Sequence, residues 1–178
     1  MAYKIKLDKA NSINELYKLV QIIVLEHIGK VKEDIDIEFR NLGFTRDGYI
    51  GGLYSYYNNT ITINAAPFYQ ILRQNKRLAK YHLFYVLLHE YVHAIGVNNE
   101  EKTREITQNI CEERFGDNHT LTKMARHAYN SIMPQMPVYR KKDIFKEDFL
   151  DDFFTEIEKM FDGAFEEFFG KRYFYETV

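Results

Sequence analysis

The spacing of apolar and polar positions changes several times along the chain, and each change marks an element. Residues 3–7, "YKIKL", alternate and predict a short strand. Residues 12–28 then take a helical period, with Leu16, Leu19, Val20, Ile23 and Ile28 along one side. Ser12 and Glu15 form a capping box at its start and Gly29 ends it. Three strands are predicted next: "DIDIEF" (34–39), the aromatic "YIGGLYSYY" (49–57) and "TITIN" (60–64). Asn58 and Asn59 suit a tight hairpin between the last two, because Asn tolerates positive φ. Pro67 is expected to close the sheet region.

From about residue 68 the period is helical again. One helix runs to about 75 and a long apolar one covers 78–95, stopped by Gly96. Another covers about 99–115 and stops at Gly116, and a fourth runs from about 119 to 132. The segment 133–143, "MPQMPVYRKKD", has two prolines and a basic cluster and reads as a linker. These patterns divide the chain into a domain over 1–132, the linker, and a helical tail over 144–178. The fold class is α+β: a backing helix, a three-stranded sheet, two following helices and a C-terminal amphipathic helix.

The tail is unusual in load. Eight of the fourteen Phe lie between 145 and 169. On a helical wheel Phe149, Leu150, Phe153, Phe154, Ile157, Met160, Phe161, Ala164, Phe165 and Phe168 fill an arc of about 160°. Asp151, Asp152, Glu158, Lys159, Asp162 and Glu166 face the other way. Such a face must be covered. It completes the core, forms a homodimer interface, binds a partner protein, or folds over a cleft as a latency device.

Composition then narrows the classes. The chain has 178 residues, 46% hydrophobic and 28% charged, enough to bury a core. A net charge of −2 gives no footprint for nucleic acid. The nearest basic cluster, "RQNKRLAK" (73–80), reads as a solvated helix start. The lone Cys111 forbids an intramolecular disulfide, and no run approaches a membrane span. Nine acids against two lysines between 145 and 170 would repel an anionic membrane. The expectation is a soluble, cytoplasmic protein.

The chemistry is concentrated in "LLHEYVHAIGVNNEE" (87–101). Spacing i, i+4 puts His89 and His93 one turn apart on one helical face, where both imidazoles reach a single Zn²⁺. Glu90 follows the first His, so its carboxylate lies beside the metal's open position as general base and acid toward activated water. Chance placement gives about 0.02 such HExxH matches in a chain of this composition. The helix is otherwise apolar, and unpaired buried charge is expensive. His and Glu satisfied by ordinary hydrogen bonds is the alternative.

A third ligand is expected from the helix after Gly96. The apolar side of 99–115 is centred near Thr103, Ile106 and Ile110, and Glu100 lies about 60° from Thr103. Glu101 and Glu105 lie about 160° away, toward solvent. Glu100 is therefore chosen, with Glu101 as its rival and His119 or His127 as imidazole alternatives. Arg104, one turn beyond Glu100, either orients that carboxylate or forms a surface pair. His82, two turns before His89 on a similar face, reads as a residue of the domain boundary and not a ligand, and His27 as an ordinary helix residue.

"HEYVHAIG" followed by "NEEKTRE" resembles the zincin metallopeptidases, and among them the gluzincins, in which Glu is the third ligand. The order of elements over residues 12–116 is similar to the small minigluzincin scaffold. The resemblance implies one zinc per chain held by His89, His93 and a Glu, placed here at Glu100, with Glu90 catalytic. It also implies that "TITIN" is the upper strand of the cleft, to which an extended peptide adds as a strand. Metzincins carry a His where this chain has Asn99, which sets that clan aside. A zinc-dependent endopeptidase acting on peptide or protein substrates is the leading expectation. A catalytically silent, zinc-stabilised interaction protein is the alternative, and Glu90 discriminates between them.

Overall fold

The computed structural model describes residues 2–43, 49–127 and 149–161. Within them lie seven helices and one small mixed sheet, an α+β arrangement. In chain order these are α1 (Ala2–Lys9), α2 (Ile13–Ile28), β1 (Asp36–Arg40), β2 (Gly52–Ser55), β3 (Thr60–Asn64), α3 (Ala65–Gln74), α4 (Lys76–Ala94), α5 (Glu100–Phe115), α6 (Thr120–Arg126) and α7 (Phe149–Met160).

The first element corrects the sequence reading, because residues 3–7 lie in α1 and not in a strand. Tyr3 and Leu7 are equally an i, i+4 helical pair, so "YKIKL" satisfies either period. Leu7 is fully buried with Tyr3 packed beside the core, whereas Ile5 is half exposed. Lys80 reinforces the helix end by donating to the Asp8 and Ala10 carbonyls. α2 forms as its signals require. Ser12 Oγ accepts from the Glu15 N–H, the Glu15 carboxylate accepts from the Asn11 N–H, and Gly29 takes φ 75°.

The strand order is β1-β3-β2, with β1 parallel and β2 antiparallel to the central β3. The hairpin forms where Asn58-Asn59 predicts it, with Asn59 at φ 52°. β3 is buried along its whole length and flanked on both sides, so "TITIN" offers no free edge to a peptide. That expectation fails. Among the described residues β1 and β2 are the two outer strands, and β2 is the one that lies against α4. The Asn64 N–H donates to the Gly51 carbonyl, so by antiparallel alternation Gly52 and Tyr54 turn their backbone groups away from β3.

Pro67 does not close the sheet; it sits in the first turn of α3, where its missing N–H is tolerated. Asn64 makes the transition instead. Its fully buried side chain donates to the Gly43 and Ile50 carbonyls and accepts from the Leu42 N–H, tying both ends of the connection between β1 and β2.

α4 is the axis of the molecule, packing against α2, α3, α5, α6, β2 and β3. Its residues Leu83, Phe84, Leu87, Leu88, Tyr91 and Val92 are fully buried. The tail joins the same core. Phe153, Ile157 and Phe161 are almost fully buried, and the Phe153 ring meets Phe39, Phe68 and Tyr69. Lys159 on the same helix holds the Glu156 carboxyl below its ordinary range, and Lys76 and Arg73 add smaller contributions, so the basic cluster at 73–80 lies near this helix. The linker 133–143, the end of the expected fourth helix and the tail beyond 161 lie outside the described residues. No helix among those described is long and apolar enough to cross a membrane.

Candidate metal centre

The last two turns of α4 and the first turn of α5 meet at a tight corner. Gly96 takes φ 105°, which lets the chain reverse after His93. The Asn99 side chain caps α5 by accepting from the Lys102 N–H. This corner brings His89, His93 and Glu100 together. Glu100 Oε1 lies 3.2 Å from His89 Nε2, and Glu100 Oε2 lies 3.1 Å from His93 Nε2. One ligand atom from each of the three falls within 4.8 Å of the others.

The surroundings of His93 fix its orientation. Its Nδ1 lies 2.7 Å from the Val97 carbonyl, which can only accept, so Nδ1 carries the proton and Nε2 is left as the acceptor facing Glu100. Thr103 Oγ1 donates to the same carbonyl at 3.2 Å, and the Tyr56 hydroxyl lies 2.8 Å from the His93 carbonyl. His89 has no comparable partner: its Nδ1 is buried without a hydrogen bond among the described residues. Burial pushes the His89 pKa down, only partly opposed by Glu100.

Glu100 bridges the two imidazoles and also receives Arg104 Nη2 at 3.0 Å on Oε1. Partial burial works against its charge, but His89, His93 and Arg104 together hold its carboxyl below the ordinary range. Glu90 is in the opposite state. It is 6% exposed, and burial together with the Glu100 charge pushes its pKa up to about 8. Only the Tyr54 backbone N–H works the other way. That N–H is one of the groups the β2 edge turns outward, so the strand's register supplies the Glu90 partner.

Strand and helix lie unusually close here. A Cβ on Gly52 would come within 2.6 Å of Val86 Cγ1 and 2.8 Å of the Thr62 carbonyl. One on Gly51 would meet Val86 Cγ2 at 3.1 Å. The "GG" at 51–52 is therefore what lets β2 lie against α4, and a double glycine inside a strand pattern is a readable signal of close approach. Beside the cluster opens a cavity of about 550 Å³, lined by Tyr49, Ile50, His82, Tyr85, Val86 and the four site residues among others.

The remaining sequence candidates lie elsewhere. Glu101 is exposed and outside the cluster. His119 caps α6 by accepting from the Leu121 N–H and packs on Tyr81 and Phe115, while His127 ends α6. His27 pairs with Glu113. A second cavity of about 550 Å³ near the α5–α6 turn is lined by Lys4, Arg77 and His119, but Arg77 there is engaged by Asp8. Tyr49 and Tyr85 are cleft residues the sequence did not single out, and His82, which spacing puts on the His89 face, lines the cleft with them and not a domain boundary. No helix of the tail's described part, 149–161, lines the cleft.

No protein-family model, curated protein or solved structure matches the chain.

Proposed function

We propose that the chain is a zinc-dependent metallopeptidase of the gluzincin kind, with His89, His93 and Glu100 as ligands and Glu90 as general base and acid. The observation that carries this reading is the convergence of two imidazole Nε2 atoms on one carboxylate, at 3.1 and 3.2 Å. Ligand atoms at 2.0–2.1 Å from a tetrahedral zinc are about 3.3 Å apart; the two nitrogens meet different oxygens of Glu100, and one ligand atom from each residue lies within 4.8 Å of the others, so the set would draw together around the ion. Two neutral nitrogens and one carboxylate also match the donor chemistry zinc selects.

A zinc ion, when bound, supplies Lewis acidity and lowers the pKa of water at that place. The chain's own groups do the rest. Val97 and Thr103 hold His93 in the required tautomer, and Arg104 fixes the Glu100 carboxylate. Glu90, buried on the β2 side and held by the Tyr54 N–H, is placed to take a proton and return it to a leaving amine. The Gly52 backbone groups, turned outward on the β2 edge, are left for an extended peptide to pair with. The described part of the tail packs on α3 and α4 rather than over this edge, which favours a structural role for it over latency.

The test is metal content by mass spectrometry together with cleavage of an unfolded protein substrate. One zinc per chain is expected, lost in His89→Ala. Glu90→Gln is expected to keep the zinc and lose at least a hundredfold in cleavage, in line with general-base contributions of roughly 10²–10⁴. Zinc retained with no cleavage by the parent chain would favour the silent interaction protein. Cleavage that survived Glu90→Gln would remove Glu90 from the mechanism.

A further inference from the structure

We propose that the cavity beside the ligand cluster is a side-chain subsite for an aromatic residue of the substrate, held between Tyr49 and Tyr85 above His82 and Val86. The inference rests on the peptidase reading and names the substrate class for that site.

Residues 82, 85, 86, 89, 90 and 93 share one face of α4 by their spacing. Chemistry occupies its C-terminal end, and the cavity continues upstream past Tyr85 and Val86 to His82. Seven residues of helix rise about 10 Å, the length needed to seat a large side chain next to a bond lying at the metal. The walls are packed in place. His82 is 1% exposed, stacks on Phe68 at 6.2 Å and meets the Tyr49 ring edge-on at 6.4 Å. Across it the Gly51-Gly52 backbone lies directly on Val86, leaving that wall no freedom to retreat.

Charge is divided along the cavity. Glu90, Glu100 and Arg104 all lie at the ligand end. Upstream the polar groups are uncharged: burial raises both tyrosine hydroxyls and holds the His82 imidazole neutral down to about 3. The charges of Glu90, Glu100 and Arg104 reach Tyr85 from the ligand end, but a Lys or Glu side chain seated against Tyr49 and His82 would be desolvated among uncharged groups. Aromatic walls instead favour a ring, in edge or offset contact. The mouth continues the character, with Ile50 49% and Leu53 38% exposed beside it.

The chain has no Trp, so indole emission reports a bound ligand without background. The experiment titrates N-acetyl-tryptophanamide onto the full chain, zinc-free and zinc-loaded, with the Phe, Leu, Lys and Glu amides as competitors. Phenylalaninamide should compete roughly three- to tenfold better than leucinamide, the ratio an aromatic pair supports. The Lys and Glu amides should not compete. Tyr85→Ala should erase this ranking while leaving zinc content and far-ultraviolet dichroism unchanged. Tyr85→Leu keeps bulk without a ring and should do the same if the smaller variant misfolds. No binding of any amide, a ranking led by Leu or by a charged residue, or a ranking indifferent to Tyr85 overturns the subsite. Ranked binding in a chain that takes up no zinc would keep the subsite and remove the peptidase reading. Zinc uptake without ranking would do the reverse.

Discussion

His82 ties the stability of this fold to pH in a way that can be worked out in advance. The imidazole is 1% exposed among Phe68, Tyr49 and the Gly51 backbone, and burial lowers its pKa from 6.5 to about 3. Between those two values the unfolded chain binds a proton at this position and the folded chain does not. Unfolding therefore takes up a proton, and stability falls as pH falls from above 6.5 toward 3. At 1.36 kcal/mol per unit the ceiling is about 5 kcal/mol, reached near pH 3. From pH 7 to pH 5 the same linkage gives about 2 kcal/mol. Urea denaturation with a chelator present, at both pH values, measures it in the parent chain and in His82→Gln. Gln keeps a polar end but does not titrate. The parent should lose about 2 kcal/mol more than the variant over this interval, since every other titrating group is common to both. An equal loss in the two chains would mean that His82 protonates within the folded state, and the buried, neutral floor argued for the cleft would be refuted with it.

Other perturbations address the remaining links. Gly52→Ala places a Cβ 2.6 Å from Val86 Cγ1 and should destabilise by about 1–3 kcal/mol in urea titration, while moving β2 away from Glu90. Phe153→Ala removes a fully buried ring that meets Phe39 and Phe68, and should cost about 3–5 kcal/mol if α7 belongs to the core; a negligible loss would return the tail to a detachable role. Arg104→Ala should weaken zinc binding by about ten- to a hundredfold in chelator competition, through a loosened Glu100. Glu100→Ala should be more severe and Glu101→Ala silent. Zinc at a hundred times its Kd should raise the unfolding free energy by about 2.7 kcal/mol, reversed by chelation.

The helices were legible because their signals are local. Ser12 with Glu15, Asn99 and the glycines at 29, 96 and 116 act within one turn of where they stand, and each ends or starts an element as its chemistry requires. Residues 3–7 were misread because five residues satisfy a strand and a helix alike, and Leu7 is decided by what it packs on. The strand order was illegible for a related reason. Periodicity gave three strands but not which lies between the others, and the order found puts β3 in the centre and leaves β1 and β2 as the outer strands. Glu100 was reachable because Gly96 and Asn99 leave so short a corner that only the first turn of α5 can approach His93. The cleft walls were harder to read: spacing puts Tyr85 one turn before His89, but that face of α4 also packs into the core, and Tyr49 is one of fourteen tyrosines with no local signal of a cleft.

The approach of Glu100 to the two imidazoles, one oxygen to each at 3.1–3.2 Å, has two physical readings, an ion pair and a set of ligands for a metal ion. The ion pair alone leaves the arrangement poorly explained. It needs a proton on an imidazole, yet burial opposes that proton at His89. Nearby, Glu90 is a second carboxyl that burial and Glu100 both push toward the neutral form. Glu90 is buried in an apolar helix, while Glu100 is exposed and pairs through one oxygen with Arg104, itself exposed to solvent. His89 and His93 could hold a divalent cation through their lone pairs, with no proton on either ring, and Glu100 through its carboxylate, and such a charge would favour the ionised form of Glu90. On the proposed reading, Glu90 is the residue that makes the difference. Burial and the Glu100 charge push its pKa up, opposed by one backbone donor, Tyr54, so it is the group whose charge a cation held by the cluster would favour.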